Sequence, residues 1–252
     1  MEFFIITMLG DRRRANNASR SAEQLAGNGY NPKIFPAICP AQNYVDEPGY
    51  DSAYRVRRFG YHLTRGEVGC FQSHKAIWEK MAQRPTEVFG VLEDDAVLQD
   101  NIVESIEVAL SFKKYWDVCR LQQAYSSKVG FTKCRMGNFF LRFSLLPTLG
   151  TGAYLLSGRA ARILSDSSGS IRQAVDHLLD DPRSHGLRVL DLTPASVTIL
   201  EDLPSVIGDR GWDTKVNGRR SLYRRIQRDS YNLGCHLARG KMLLNMLFMR
   251  AQ

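Results

Sequence analysis

Val88-Phe89-Gly90-Val91-Leu92-Glu93-Asp94-Asp95-Ala96-Val97-Leu98 passes from apolar side chains straight into three acids and back. Its first five residues form a short apolar run, the pattern of a buried strand. Three carboxylates follow without a break. A strand that ends in clustered acids sets negative charge at the carboxyl edge of a sheet, where open α/β sheets bind ligands. Adjacent carboxylates repel one another unless a cation sits among them. Oxygen donors suit Mg²⁺ or Mn²⁺, ions that bridge to substrate phosphates. Two readings stand at this point: a metal–diphosphate site, or an exposed acidic turn.

At the other end of the chain, Phe3 to Leu9 reads as a buried first strand, and Gly10-Asp11 turns the chain. Arg12-Arg13-Arg14 opens a helix with Ala15, Ala18, Ala22 and Leu25 at helical spacing, ended by Gly27-Asn28-Gly29. Lys33 to Ala37 reads as a second strand, which gives a β-α-β opening of the kind that starts nucleotide-binding sheets. Residues 40–62 have no clear period and read as a loop. Thr64-Arg65-Gly66-Glu67 is a capping box that starts a helix running to about Gln83. Cys70, Phe71, His74, Ile77, Trp78 and Met81 form its inner face.

Beyond the acids, Asn101 is expected to cap an amphipathic helix. Tyr115 to Leu121 reads as a strand, and residues 122–150 as irregular. Thr151 to Leu156 is a further strand, and Ser157 caps the helix Arg159 to Leu164. Ile171 to Leu179 is expected to be a short helix carrying Asp176 and His177, and Leu187 to Leu190 the last sheet strand.

The 252 residues suffice for one large α/β domain with an appendage. No apolar run approaches the ~20 residues that span a bilayer. Met1 to Ile6 lacks a basic n-region, so the expectation is a cytoplasmic chain. Five scattered cysteines with no Cys-x-x-Cys pair argue against a disulfide framework or a thiolate zinc site. The formal charge of +8 is uneven. Residues 219–252 hold eight bases and one acid, a net of +7, which leaves +1 for residues 1–218. The expected division is therefore a domain at 1–218 and a basic helical segment at 219–252. In that segment Leu222, Ile226, Leu233, Leu237 and Leu244 share one helical face, with Arg224, Arg225, Arg228 and Arg239 over the rest. Gly234 and Gly240 are expected to weaken or break the helix. Such a helix lies on an anionic membrane or packs on its own domain. A uniformly basic nucleic-acid-binding domain would look different, so no nucleic acid is expected.

Five blocks, in order, resemble the family 25 glycosyltransferases, which include bacterial lipooligosaccharide galactosyl- and glucosyltransferases and animal procollagen galactosyltransferases. They are Ile5 to Arg14, Leu63 to His74, Val91 to Val97, Thr151 to Ser157 and Val175 to Leu179. The second is close to that family's Gly-Glu-x-Gly-Cys-x-x-Ser-His, and the third is its acidic motif. Two departures concern the nucleotide pocket: Thr7-Met8-Leu9-Gly10 stands where the family's first strand ends in Asn-Leu, and Thr151 takes the place of a first glycine before Gly152.

The resemblance implies a GT-A-like (Rossmann-related) mixed sheet flanked by helices, here with the basic amphipathic tail. It also implies a nucleotide-sugar donor and inversion at the anomeric carbon. On that basis Asp95 is the first candidate for a direct Mn²⁺ or Mg²⁺ ligand, with Glu93 and His177 as further candidates. Thr7, Met8, Arg13, Arg14, Ser73, Glu93, Asp94 and Gly152 are the candidate nucleotide contacts, with one arginine of the run expected to point inward. Inversion needs a carboxylate opposite the leaving group, and Asp176 is the candidate base. His74 and Glu67 complete the candidate catalytic set. Each has a plainer reading: a solvated helix acid for Asp176, a core histidine for His74, a capping partner for Glu67. Cys70 is expected to be packing.

The whole expectation is an inverting, metal-dependent hexosyltransferase using UDP-galactose or, as the alternative, UDP-glucose. Its acceptor would be a lipid-linked oligosaccharide of the lipopolysaccharide core. The tail would dock on the inner face of a bacterial inner membrane. A basic nucleic-acid-binding protein without transferase activity is the reading from another class, followed by a phosphohydrolase on the same acids and a family member that only binds.

Overall fold

The computed structural model describes residues 1–125, 129–200 and 222–248. The chain runs β1 (Glu2–Thr7), α1 (Arg12–Gly27), β2 (Asn31–Pro36), a 3-10 turn at Tyr44–Asp46, α2 (Ser52–Phe59), α3 (Arg65–Met81), β3 (Val88–Glu93) and β4 (Ala96–Leu98). Next come α4 (Ile102–Ser111), β5 (Val118–Arg120), β6 (Gly130–Met136), β7 (Phe139–Ser144), β8 (Ala153–Ser157), α5 (Gly158–Ser167), α6 (Val175–Leu179) and α7 (Pro182–His185). The last elements are β9 (Val189–Thr193), β10 (Val197–Ile199) and α8 (Leu222–Phe248).

Eight strands form one mixed sheet in the order β2-β1-β3-β8-β5-β9-β7-β6. Strands β2, β1 and β3 are mutually parallel, and β8 enters antiparallel between β3 and β5. Alternation along each strand feeds two cores. Phe3, Ile5, Leu92, Leu155 and Leu190 face α1 and α4, while Phe4, Ile6, Val91, Leu156 and Val189 face α3, α5 and α6. Both faces of the central strands β1, β3 and β8 are covered, which is why these read as unbroken apolar runs. Gly90 is required inside β3, because a Cβ there would come within 2.0 Å of the Phe3 ring. This is the expected mixed sheet flanked by helices.

Several local expectations are corrected. The stretch read as a loop contains α2, capped by the Asp51 carboxylate and stopped at Gly60, which has φ +85. Residues read as irregular hold the β6–β7 hairpin, turning at Gly137 with φ +56, with Phe139, Leu141 and Phe143 pointing into the core. The fourth helix starts after Asn101, but the Asn101 side chain caps nothing. The capping box at Thr64 and the plain N-cap at Ser157 form as read.

The tail helix is also corrected. It runs unbroken through Gly234 and Gly240. Arg239, expected on the solvated face, is 4% exposed. Its guanidinium donates 2.7 Å to Asp180 Oδ1 and also bonds the Ser144 carbonyl. Asp180 faces Arg120 from the other side, and burial of the carboxyl is more than offset by the two guanidiniums, which hold it below the usual range. The leucine stripe points outward: Leu233, Leu237 and Leu244 are 60%, 66% and 56% exposed. The expected boundary between residues 218 and 219 lies outside the described residues.

Removing one member of a buried ion network leaves charge uncompensated. Arg239→Ala should therefore lower stability by about 3 kcal/mol, read from the urea midpoint. An unchanged midpoint would mean that α8 is not held by this contact.

Candidate active site

The acids sit where β3 ends, at the carboxyl edge of the parallel strands, in a cleft of about 260 Å³. Its walls include Met8 and Arg14 from the first βα unit, Ile38 and Pro40 after β2, and Gly66, Cys70 and Ser73 on α3. Gly69 lets the 38–40 segment lie directly on α3, since a Cβ there would meet the Ile38 carbonyl at 2.4 Å. Ser73 locks the same contact: its hydroxyl donates to the Gly69 carbonyl and accepts from the Ile38 amide, both at 2.8 Å.

The three carboxylates differ in what they hold. Asp94 is buried, and both oxygens are engaged. Oδ1 accepts from Arg14 Nη1 at 2.6 Å and Oδ2 from the Met8 amide at 2.9 Å. It therefore ties the β1–α1 loop to the acid turn. Arg14 is the inward arginine of the run, whereas Arg12 and Arg13 are exposed. Asn17, which the sequence reading did not single out, donates to the Asp94 and Ala96 carbonyls. On the other side, the Leu200 amide donates to the Asp95 carbonyl at the end of the β10–β4 ribbon.

Among the described residues, Glu93 is gripped through Oε1 alone. Thr151 donates to it from its hydroxyl, and His74 Nε2 lies 3.2 Å away. Burial raises the Glu93 pKa, but His74 and Thr151 outweigh it and leave the group below its usual value. Thr151, the residue in place of a glycine, is thus a direct partner of the acid. Gly152 accepts the Glu93 amide through its carbonyl and packs against Gln122 and Ile199; it lies beneath the acid turn, away from the cleft wall.

Asp95 is the opposite case. Its Oδ1 is buried and has no hydrogen-bond partner among the described residues. Burial, with the charges of Glu93 and Asp94, pushes its pKa up to about 7. A carboxylate in that state fits a cation: the ion would supply the missing partner and relieve the repulsion. Thr7 Oγ1 is also buried without a partner among the described residues.

The remaining candidates fall as follows. His74 is fully buried, and both ring nitrogens are taken, Nδ1 by the Tyr154 hydroxyl at 2.8 Å. It braces Glu93 from behind and does not reach the cleft. Glu67 forms the capping box, accepting the Thr64 amide at 2.8 Å. Asp176, half-buried on the first turn of α6, accepts from the His177 amide, and its charge is felt at Cys70 on the cleft wall. His177 is exposed and is not brought to the acids. Cys70, expected as packing, does line the cleft. Its Sγ, with His74 and Glu93, forms a group whose ligand atoms lie within 4.8 Å of one another.

The sequence profile of "Glycosyltransferase family 25 (LPS biosynthesis protein)" matches residues 1–179. An inactive glycosyltransferase 25 family member 3 from Mus musculus is 40% identical over 78 residues, covering 29% of this chain and 12% of that protein. Procollagen galactosyltransferase 1-B from Xenopus laevis is 38% identical over 81 residues, with the same coverage of 29% and 12%. The match thus spans about an eighth of each relative's own length. A Bacillus anthracis structure described as a putative glucose-1-phosphate thymidylyltransferase has a TM-score of 0.39 at 12% identity, covering 76% of this chain and 86% of that one.

Because its folded pKa is raised, Asp95 binds its proton more tightly in the fold than in the unfolded chain between about pH 4 and 7. Stability therefore falls as pH rises through that window, by on the order of 2–4 kcal/mol once the group is charged. In metal-free buffer, Asp95→Asn should remove most of this slope in the melting temperature. Mn²⁺ should raise the melting temperature more at pH 8 than at pH 5; equal shifts would place the ion away from Asp95. A profile match over residues 1–179, on a chain whose acid motif closes a cleft at the sheet edge, shows that this protein belongs to glycosyltransferase family 25.

Proposed function

We propose that this transferase moves a hexose, galactose before glucose, from its UDP conjugate to a saccharide acceptor with inversion. The observation that carries this is the pair of unclaimed carboxylate oxygens at the sheet edge. Asp95 Oδ1 has no partner, and no hydrogen bond reaches Glu93 Oε2 among the described residues. Glu93 and Asp95 would hold Mn²⁺ or Mg²⁺, which stabilises negative charge on a departing diphosphate. Arg14 lies beside them on the cleft wall, where its guanidinium favours a phosphate. Met8 and Ser73 line the same cleft and would bound the nucleotide.

Asp176 would take the proton from the acceptor hydroxyl as it attacks the anomeric carbon. A single in-line displacement needs that proton removed on the face opposite the leaving group. The half-buried position of Asp176, within electrostatic reach of the cleft wall, supports the role.

Galactose is favoured because a relative is called a procollagen galactosyltransferase. The acceptor we infer is a lipid-linked oligosaccharide of the lipopolysaccharide core, in keeping with the family's description. No helix among the described residues is long and apolar enough to cross a membrane. The outward leucine stripe of α8 supports docking on an anionic bilayer surface, because its other face is already packed on the domain.

The test is sugar transfer from UDP-galactose and UDP-glucose with Mn²⁺, with and without truncated lipooligosaccharide. Asp95→Ala should abolish metal-dependent UDP binding. Asp176→Asn should retain UDP binding and lose transfer by 10²-fold or more, about the size of a general-base contribution. Normal turnover by Asp176→Asn would remove the base assignment. For the surface, Leu237→Glu with Leu244→Glu should release the protein from phosphatidylglycerol vesicles in a flotation assay while its melting temperature holds. Undiminished flotation would refute docking through this stripe.

A further inference from the structure

Behind Glu93 lies a chain of buried groups whose proton positions follow from counting donors. Trp78 Nε1 can only donate, and it points at the Tyr154 oxygen at 3.0 Å. That oxygen lies 2.8 Å from His74 Nδ1, and His74 Nε2 lies 3.2 Å from Glu93 Oε1. Trp78, Tyr154 and His74 have no solvent exposure, so water does not complete their bonds. Burial keeps the phenol protonated, with its pKa raised well above the usual value. Its proton then needs an acceptor. Among the described residues the one in reach is His74 Nδ1, because Trp78 brings a hydrogen of its own. An imidazole that accepts at Nδ1 and stays neutral carries its proton on Nε2.

We propose that Trp78 and Tyr154 are positioning residues that lock His74 in the Nε2–H tautomer, aimed at Glu93 Oε1. The lock fixes one oxygen of Glu93 from the core side, together with Thr151, and leaves Oε2 for the cleft. It also decides between two metal arrangements. Cys70, His74 and Glu93 have the ligand types and spacing of a soft-metal site. With a hydrogen on Nε2, His74 has no lone pair to give there. A cation is left to the carboxylate oxygens. This last step rests on the metal reading above, whereas the tautomer does not.

The experiment uses the full chain labelled with ¹⁵N-histidine and studied by NMR without metal. The chain has five histidines, and the signals missing from His74→Gln identify His74. The expected pattern is a protonated Nε2 and a bare Nδ1. In Tyr154→Phe, which loses the hydroxyl and keeps the ring, that pattern should change to a tautomer mixture or to Nδ1–H. Titration with Mn²⁺ alone, read by electron paramagnetic resonance, should show about tenfold weaker binding for Tyr154→Phe, the cost of losing a group that orients a ligand. His74→Gln, whose amide can donate in the Nε2 place, should retain most of the affinity, and His74→Leu should not. A wild-type spectrum with Nδ1 protonated would overturn the proposal, as would an unchanged tautomer in Tyr154→Phe. Metal binding lost in Cys70→Ser would overturn it in favour of the Cys70 site. Absence of Mn²⁺ binding in the wild type, with the tautomer as expected, would sink the carboxylate–metal reading and leave the lock standing.

Discussion

One carboxylate organises this cleft. Asp94 accepts from the Met8 amide and from Arg14, and so joins the end of β1 and the start of α1 to the end of β3. That clamp, with the Asn17 bonds to the Asp94 and Ala96 carbonyls, fixes the β1–α1 loop against the acid turn as one wall of the cleft. The clamp also sorts the three acids. The middle one is spent on structure, so its neighbours, which point elsewhere along the turn, are the ones with oxygens to offer. A charge-assisted bond between buried groups suits that duty because it is short and strongly directional.

The antiparallel strand β8 does the complementary work from the other side. Running against β3, it brings its first residues to the edge where β3 finishes, so Thr151 meets Glu93 and the Gly152 carbonyl receives the Glu93 amide. Two residues further on, Tyr154 stands behind His74. Carboxylates held from both flanks keep their geometry without a ligand, the preorganisation that transfer chemistry requires.

Much of this was legible from local pattern. The apolar run into Glu93 predicts a strand and its edge. Thr64 and Glu67 announce their helix because a capping box needs only four adjacent residues. The limit of one inward arginine follows from helical geometry, and Arg14 is that one. What could not be read depends on distant partners. Nothing near residue 94 says that Met8 donates to it, and nothing near His74 names Tyr154. The hairpin at 130–144 escapes local pattern although Phe139, Leu141 and Phe143 alternate, because its return rests on a single glycine, Gly137 at φ +56. Helix α2 escapes it because its one buried side chain is an arginine, Arg55, laid over the Phe59 and Tyr61 rings. Hydrophobic periodicity cannot register such packing. The tail shows the same limit: its leucines look like the inner face, yet the buried side is Cys235, Arg239 and Met246.

That inversion has a mechanical meaning. Because Arg239 is bonded to Asp180 at the end of α6, helix α8 is pinned to the domain at that point and would act as an outrigger. Any sheet or partner that grips the leucine ridge would set the tilt of the whole molecule, and with it the compass bearing of the cleft mouth. A floppy leash would hold the protein nearby in every attitude; this one would present it in a single pose.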